Sequence, residues 1–169
     1  MARSRAVLAA FAATALAGSL VGERFERWPV RPGAAVLTAT VAEVVYGDTI
    51  VIATANGRVD TVRLLGVDTP ETVHPDRPVE CYGPEASAFT KSALTGVVVR
   101  LEADVEPRDR YGRLLAYVWV GEERFNDVLL RDGYARLLVI PPNGRHARTM
   151  LSEQLAARSE RRGLWGSCE

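Results

Sequence analysis

Apolar and polar positions alternate most clearly between residues 35 and 67, and a period of two means strand. Ala35–Tyr46 reads AVLTATVAEVVY, rich in valine and threonine, and TIVIATA follows at Thr49–Ala55. RVDTVRLLGV (Arg58–Val67) returns after Asn56-Gly57, the strongest short hairpin signal. The turns Tyr46-Gly47-Asp48 and Asn56-Gly57 therefore join three strands in a meander. Beyond them the period changes. GPEASAFTKSALTG (Gly83–Gly96) puts Ala86, Phe89, Ala93 and Leu94 on one face, with Pro84 in the first turn and Gly96 as a stop, which predicts a helix. VVVRLEADV (Val97–Val105) is a fourth strand, and PRDRYGRLLAYVWV is a turn feeding a fifth that ends at Gly121. FNDVLLRDG predicts a short helix with Phe125, Val128 and Leu129 inward and Gly133 as its C-terminal stop. A last helix near Arg145–Arg162 carries Met150, Leu151 and Leu155 and stops at Gly163. One helix after the third strand and two after the fifth suit a β-rich α+β chain, a five-stranded OB-fold barrel with three flanking α-helices.

The first 22 residues break this pattern. Arg3 and Arg5 precede AVLAAFAATALAGSLVG, which carries no charge until Glu23 and contains Ala15-Leu16-Ala17 as an A-x-A cleavage candidate. Residues 1–22 read as a signal peptide or an N-terminal membrane anchor, the run being short and alanine-rich for a span of about 20 residues. Either reading makes the rest of the chain secreted or extracytoplasmic. Residues 23–34, with Pro29, Pro32 and Gly33, read as a linker, which leaves 35–169 as one domain. The composition of the whole chain, 47% hydrophobic and 25% charged, is that of a soluble globular protein.

Net charge is zero, with 21 basic and 21 acidic side chains, so the chain is not a basic surface that binds nucleic acid without selectivity. A polyanion would need a local site, with a metal to offset its charge. The two cysteines, Cys81 and Cys168, read as a disulfide in an exported protein. Two thiols, or a metal site with a nearby histidine, are the alternatives, although His74 and His146 show no zinc-like spacing with either cysteine. Nothing in the sequence points to an obligate protein partner, and a monomer is expected.

Chemistry gathers where strands end. Val67-Asp68-Thr69-Pro70-Glu71 closes the third strand with two carboxylates and a hydroxyl. A helix cap would use the same residue types, but His74-Pro75 and Arg77-Pro78 oppose a continuing helix. An exposed loop at a strand end is the alternative that chemistry prefers. In a three-strand meander Asp48 reaches the same sheet edge as Asp68. With Thr69 they make an all-oxygen site that suits calcium better than zinc. Arg63 precedes Leu64-Leu65 in a strand that must be largely buried, and Arg113 follows Gly112 at the mouth of another. Such arginines need an anionic partner, and phosphate suits the guanidinium fork.

VVYGDTIVI, VRLLGVDTPETVHP, CYGPEASAFTKSAL, DRYGRLLAYVWV and FNDVLLRDGYARL resemble, in order, successive blocks of the staphylococcal nuclease (thermonuclease) family. The resemblance covers roughly residues 36–165. It implies an OB-fold barrel with three helices and a Ca2+-dependent phosphodiesterase that takes both DNA and RNA. On its terms Asp48 and Asp68 are the calcium carboxylates, and Thr69 adds its backbone carbonyl. Glu71 is the general base, while Arg63 and Arg113 hold the phosphate and stabilise the five-coordinate transition state. Water attacks phosphorus and the 5′ oxygen leaves, giving 3′-phosphate products. Arg110 and Tyr111 contact a terminal phosphate, and Arg77 lies in a substrate-facing loop.

Two departures stand out. Tyr46 replaces an acid that some relatives place beside the calcium, and Leu137–Asn143 lacks the tyrosines that flank the base in relatives, where stacking can contribute about 1–3 kcal/mol. A second class of function is a non-catalytic OB-fold module that binds nucleic acid or protein. Such a module has no physical need for the set Asp48, Arg63, Asp68, Thr69, Glu71 and Arg113, which favours the enzyme.

Overall fold

The computed structural model describes residues 36–72 and 78–168. The expected leader and linker, and Arg77 with His74, lie outside the described residues. In chain order the elements are β1 (Val36–Tyr46), β2 (Thr49–Ala53), β3 (Val59–Leu64), β4 (Gly66–Asp68), α1 (Gly83–Leu94), β5 (Val98–Arg108), β6 (Leu114–Val120), β7 (Glu123–Arg124), α2 (Phe125–Arg131), β8 (Arg136–Leu138), α3 (Ala147–Ser159) and α4 (Leu164–Ser167). β3, β2, β1, β5 and β6 pair in that order. A parallel pairing of β3 with β6, Val62 opposite Leu114 and Arg63 opposite Leu115, closes the sheet into a barrel. Closure removes the two edges that an open sheet would expose. The expected five-stranded barrel with helices around it is the fold observed.

Alternation decides which side chains fill the barrel. Ile50 and Ile52 from β2, Val62 and Leu64 from β3, Val99 and Leu101 from β5, and Leu114, Ala116 and Val118 from β6 are buried at every second position. In β1 the buried positions step from Val41 to Val44, because an irregularity in the β1–β2 register falls between Val41 and Glu43. Full burial of each such aliphatic side chain contributes about 1.5–3 kcal/mol. α1 adds Leu94, α2 adds Phe125, Leu129 and Leu130, and α3 adds Met150 to the same core.

The structure departs from the pattern reading in three places. The third strand does not run through Val67. It ends at Leu64, and Gly66 with φ of 74° turns the chain into β4, a conformation that most side chains disfavour. β4 then pairs with β8, Asp68 opposite Arg136, although a three-residue strand is too short to leave a periodic signal. The last helix is also shorter than Arg145–Arg162. It exposes Leu151 and Leu155 by 42% and 54%, while Met150 and Ala157 go inward. Tertiary packing chose the small alanine over the two leucines.

A second, smaller cluster of Ala157, Leu164 and Trp165 packs with Tyr82 and Cys168. Here Cys81 and Cys168 form a disulfide across 87 residues, with Cα atoms 5.9 Å apart. The expected bridge therefore holds, and the thiol and metal alternatives do not. No helix among the described residues is long and apolar enough to cross a membrane.

Candidate active site

Asp48 stands in the tight turn between β1 and β2, where Tyr46 pairs with Thr49. Its carboxylate is almost buried and bonded on both oxygens. The Thr49 hydroxyl donates to Oδ1 at 2.9 Å, and the Thr69 backbone N–H donates to Oδ2 at 3.2 Å. The turn is itself pinned, because the buried Thr90 hydroxyl of α1 donates to the Gly47 carbonyl at 2.8 Å. Asp68 comes from the end of β4, after the bend at Gly66. That bend is held by Asn126 of α2, whose side-chain amide donates to the Leu65 carbonyl at 2.8 Å and whose Oδ1 accepts from the Val118 N–H at 2.8 Å. Two elements far apart in sequence thus aim carboxylates at one point.

That point is Arg63. Its Nη1 donates to the carbonyls of Leu64 at 2.8 Å and Val67 at 2.6 Å, which anchors the guanidinium to the bend. Its Nη2 lies 3.0 Å from Asp48 Oδ2 and 3.0 Å from Asp68 Oδ1. The two carboxylates therefore converge on one guanidinium nitrogen. The anionic partners that a half-buried Arg63 requires are these two acids. Burial raises the Asp68 pKa above the usual carboxylate range; Arg63 opposes that shift, Asp48 and Glu80 reinforce it, and Arg136 opposes it. Desolvation of the carboxylate is the main physical content of that shift, and the neighbouring acids add to it.

Arg63 also lines a cleft of about 530 Å³ together with Glu106, Asp109, Arg110, Tyr111, Arg113 and the aliphatic Leu138 and Ile140. Arg113 is fixed by Asp109, whose Oδ2 accepts from Nε at 2.7 Å while Oδ1 accepts the backbone N–H groups of Tyr111 and Arg113. Tyr111 is 68% exposed. The Arg110 and Arg113 guanidinium carbons lie 4.7 and 5.5 Å from its ring centre, within range of a cation–π attraction. Barrel closure joins the halves of the site: Val62, beside Arg63, pairs with Leu114, beside Arg113. Glu71 is exposed on the loop after β4, with its main chain bonded to Glu80.

The structure therefore brings Asp48, Arg63, Asp68 and Thr69 together and places Arg110, Tyr111 and Arg113 in the cleft that Arg63 shares. Sequence reasoning missed Asp109, Asn126, Thr90 and Glu80. Asp109-Arg110-Tyr111-Gly112 is a recognisable aspartate-initiated turn, so its signal was present. The other three act through tertiary contacts and leave no local signature.

A model described as "Staphylococcal nuclease homologue" matches residues 61–167. The chain belongs to the staphylococcal nuclease family. It is 49% identical over 125 residues to a thermonuclease of Staphylococcus intermedius, covering 74% of each chain. With a thermonuclease of Staphylococcus hyicus it shares 45% over 130 residues, 77% of this chain and 76% of that one. Endonuclease YncB of Bacillus subtilis (strain 168) is 38% identical over 132 residues, 77% of this chain and 62% of the relative. All three alignments span more residues than the family model, which begins in β3 and omits the turn that carries Asp48.

The donor set is of the kind that suits a hard divalent cation. Asp48 and Asp68 supply oxygens only, and the Asp68 side chain is 55% exposed. Among the described residues no group of three or more His, Cys, Asp or Glu side chains is arranged to hold a metal. Water and backbone oxygens would have to complete a shell of six to eight ligands.

Proposed function

We propose that this protein is a calcium-dependent phosphodiesterase that cleaves DNA and RNA to 3′-phosphate products and works outside the cytoplasm. It is a phosphodiester-hydrolysing nuclease, as its family and the names of its relatives support. One observation carries the finer reading: Arg63 Nη2 meets both Asp48 and Asp68 at 3.0 Å while the same side chain lines the Arg110–Tyr111–Arg113 cleft.

Asp48 and Asp68 would hold the calcium with the Thr69 carbonyl, and the ion, when bound, supplies a Lewis acid to a phosphoryl oxygen. Arg63 and Arg113 hold the phosphate. Both are fixed before substrate arrives, Arg63 by two carbonyls and Arg113 by Asp109. Charge that accumulates on the phosphoryl oxygens is therefore met without reorganisation. Glu71 accepts a proton as water bonds to phosphorus, and the bond to the 5′ oxygen breaks. Arg110 and Tyr111 contact a terminal phosphate at the open end of the cleft. Arg77 is assigned to substrate on the family resemblance alone. The disulfide supports an oxidising compartment.

The test is direct. The full chain is incubated with single-stranded DNA and with RNA, with calcium or with chelator, and the phosphorylated end of each product is identified. Cleavage that requires calcium and leaves 3′-phosphates is expected, with Glu71→Gln slower by about 10²–10⁴-fold. Polynucleotides left whole in calcium would overturn the enzyme reading and favour a binding module. Full turnover by Glu71→Gln would overturn the role of the base.

A further inference from the structure

Glu71 lies in a loop, and a loop carboxylate is a poor base unless its main chain is held. Here it is held at two points. The Glu71 N–H donates to Oε2 of Glu80 at 3.1 Å, and the Glu80 N–H donates back to the Glu71 carbonyl at 2.9 Å. Gly83 lets the loop rest on the start of α1: a Cβ at that position would stand 2.7 Å from the Glu71 carbonyl oxygen and 3.1 Å from that of Pro70. Between these contacts Cys81 is tied to Cys168 in the C-terminal cluster. Tyr82, stacked on Tyr134 with ring centres 5.6 Å apart, has a left-handed φ of 69°. A non-glycine residue keeps that conformation only where its surroundings impose it.

We infer that Glu80 is a positioning residue for hydrolysis: its carboxylate and amide clamp the main chain of Glu71, and the Cys81–Cys168 bridge keeps the clamp in place. The inference rests on Glu71 being the base. Asp68 shares a site with the Glu80 charge, so the clamp and the charge must be separated by experiment. Glu80→Ala removes the charge and the carboxylate arm of the clamp while its backbone N–H stays on the Glu71 carbonyl; Glu80→Gln removes the charge and keeps an acceptor oxygen.

Steady-state kinetics of the full chain in saturating calcium, far below every variant's melting temperature, make the test. Glu80→Ala is expected to lower kcat by up to about 10²-fold with KM little changed, the scale that a misplaced catalytic group costs. Glu80→Gln is expected to keep most of kcat, because the acceptor survives. Cys81→Ala/Cys168→Ala is expected to lower kcat as well, and adding Glu80→Ala to it should cost less than the product of the two losses. Parental kcat in Glu80→Ala overturns the inference, as does an equal loss in Glu80→Ala and Glu80→Gln. Losses that multiply overturn the part played by the disulfide. Full turnover in Glu71→Gln identifies the other failure, that of the base itself.

Discussion

Replacing Arg63 with alanine removes a guanidinium that bonds two carbonyls and two carboxylates at once. Side-chain exposure is 16% for Arg63 and 10% for Asp48, so this pair is nearly buried. Deleting one partner of a buried pair costs about 3–5 kcal/mol, because the other charge is left uncompensated. The Asp68 arm adds little, since an exposed pair contributes about 0–1 kcal/mol. Asp48 keeps its bonds from the Thr49 hydroxyl and the Thr69 N–H, which places the net loss toward the low end, about 3 kcal/mol. Urea titration in chelator at neutral pH reads that loss directly. Calcium should then stabilise Arg63→Ala by more than it stabilises the parent, because two unpaired acids gain a counter-ion. A loss under about 1 kcal/mol would put this pair with ordinary surface bridges and refute the argument from burial. Calcium that stabilises only the parent would refute the assignment of Asp48 and Asp68 as its ligands. Catalysis measured under conditions where the variant is folded should still fall, which separates the two roles of Arg63.

The other predictions address single contacts. Asp109→Ala should lower kcat/KM about 10²-fold, the scale of a misplaced catalytic group, because Arg113 and the Tyr111 turn lose their anchor; Asp109→Asn should lie between it and the parent. Asn126→Leu strands the Val118 N–H and the Leu65 carbonyl, at about 1–3 kcal/mol for each unsatisfied group, and thermal unfolding should show the loss. Glu102 gives a pH test. Burial works to raise its pKa, but hydrogen bonds from Arg145, His146 and Trp119 prevail and lower it below the usual 4.5. A depressed carboxylate stabilises the fold above pH 4.5, and that contribution disappears as pH falls through the folded value. Glu102→Gln should therefore be less stable at neutral pH, with a gap to the parent that narrows below pH 4.5; a constant gap through acid titration would contradict it.

Much of the barrel was legible because strand alternation and turn chemistry are local properties. Asn56-Gly57 and Gly47-Asp48 state where the chain reverses, and every second residue of β2, β3 and β6 states which side is inside. The chemical residues were legible for another reason: Asp68-Thr69-Pro70-Glu71 places charge where a strand leaves the core. The bend at Gly66 was harder to read. A continuous strand and a strand broken by one left-handed glycine have the same hydrophobic pattern, and only the partner strand Arg136–Leu138 distinguishes them.

The sequence by itself determined the order of the five barrel strands and the three longer helices, the residue types able to bind a cation and a phosphate, and the two cysteines able to pair. Tertiary structure alone decided that Asp48 and Asp68 meet on Arg63, that Arg113 stands one residue from a closing pair of the barrel, and that Glu80 grips Glu71. Side-chain periodicity records which face a residue takes relative to its own strand. It carries no information on which distant strand closes the barrel, and that closure sets every distance in the site.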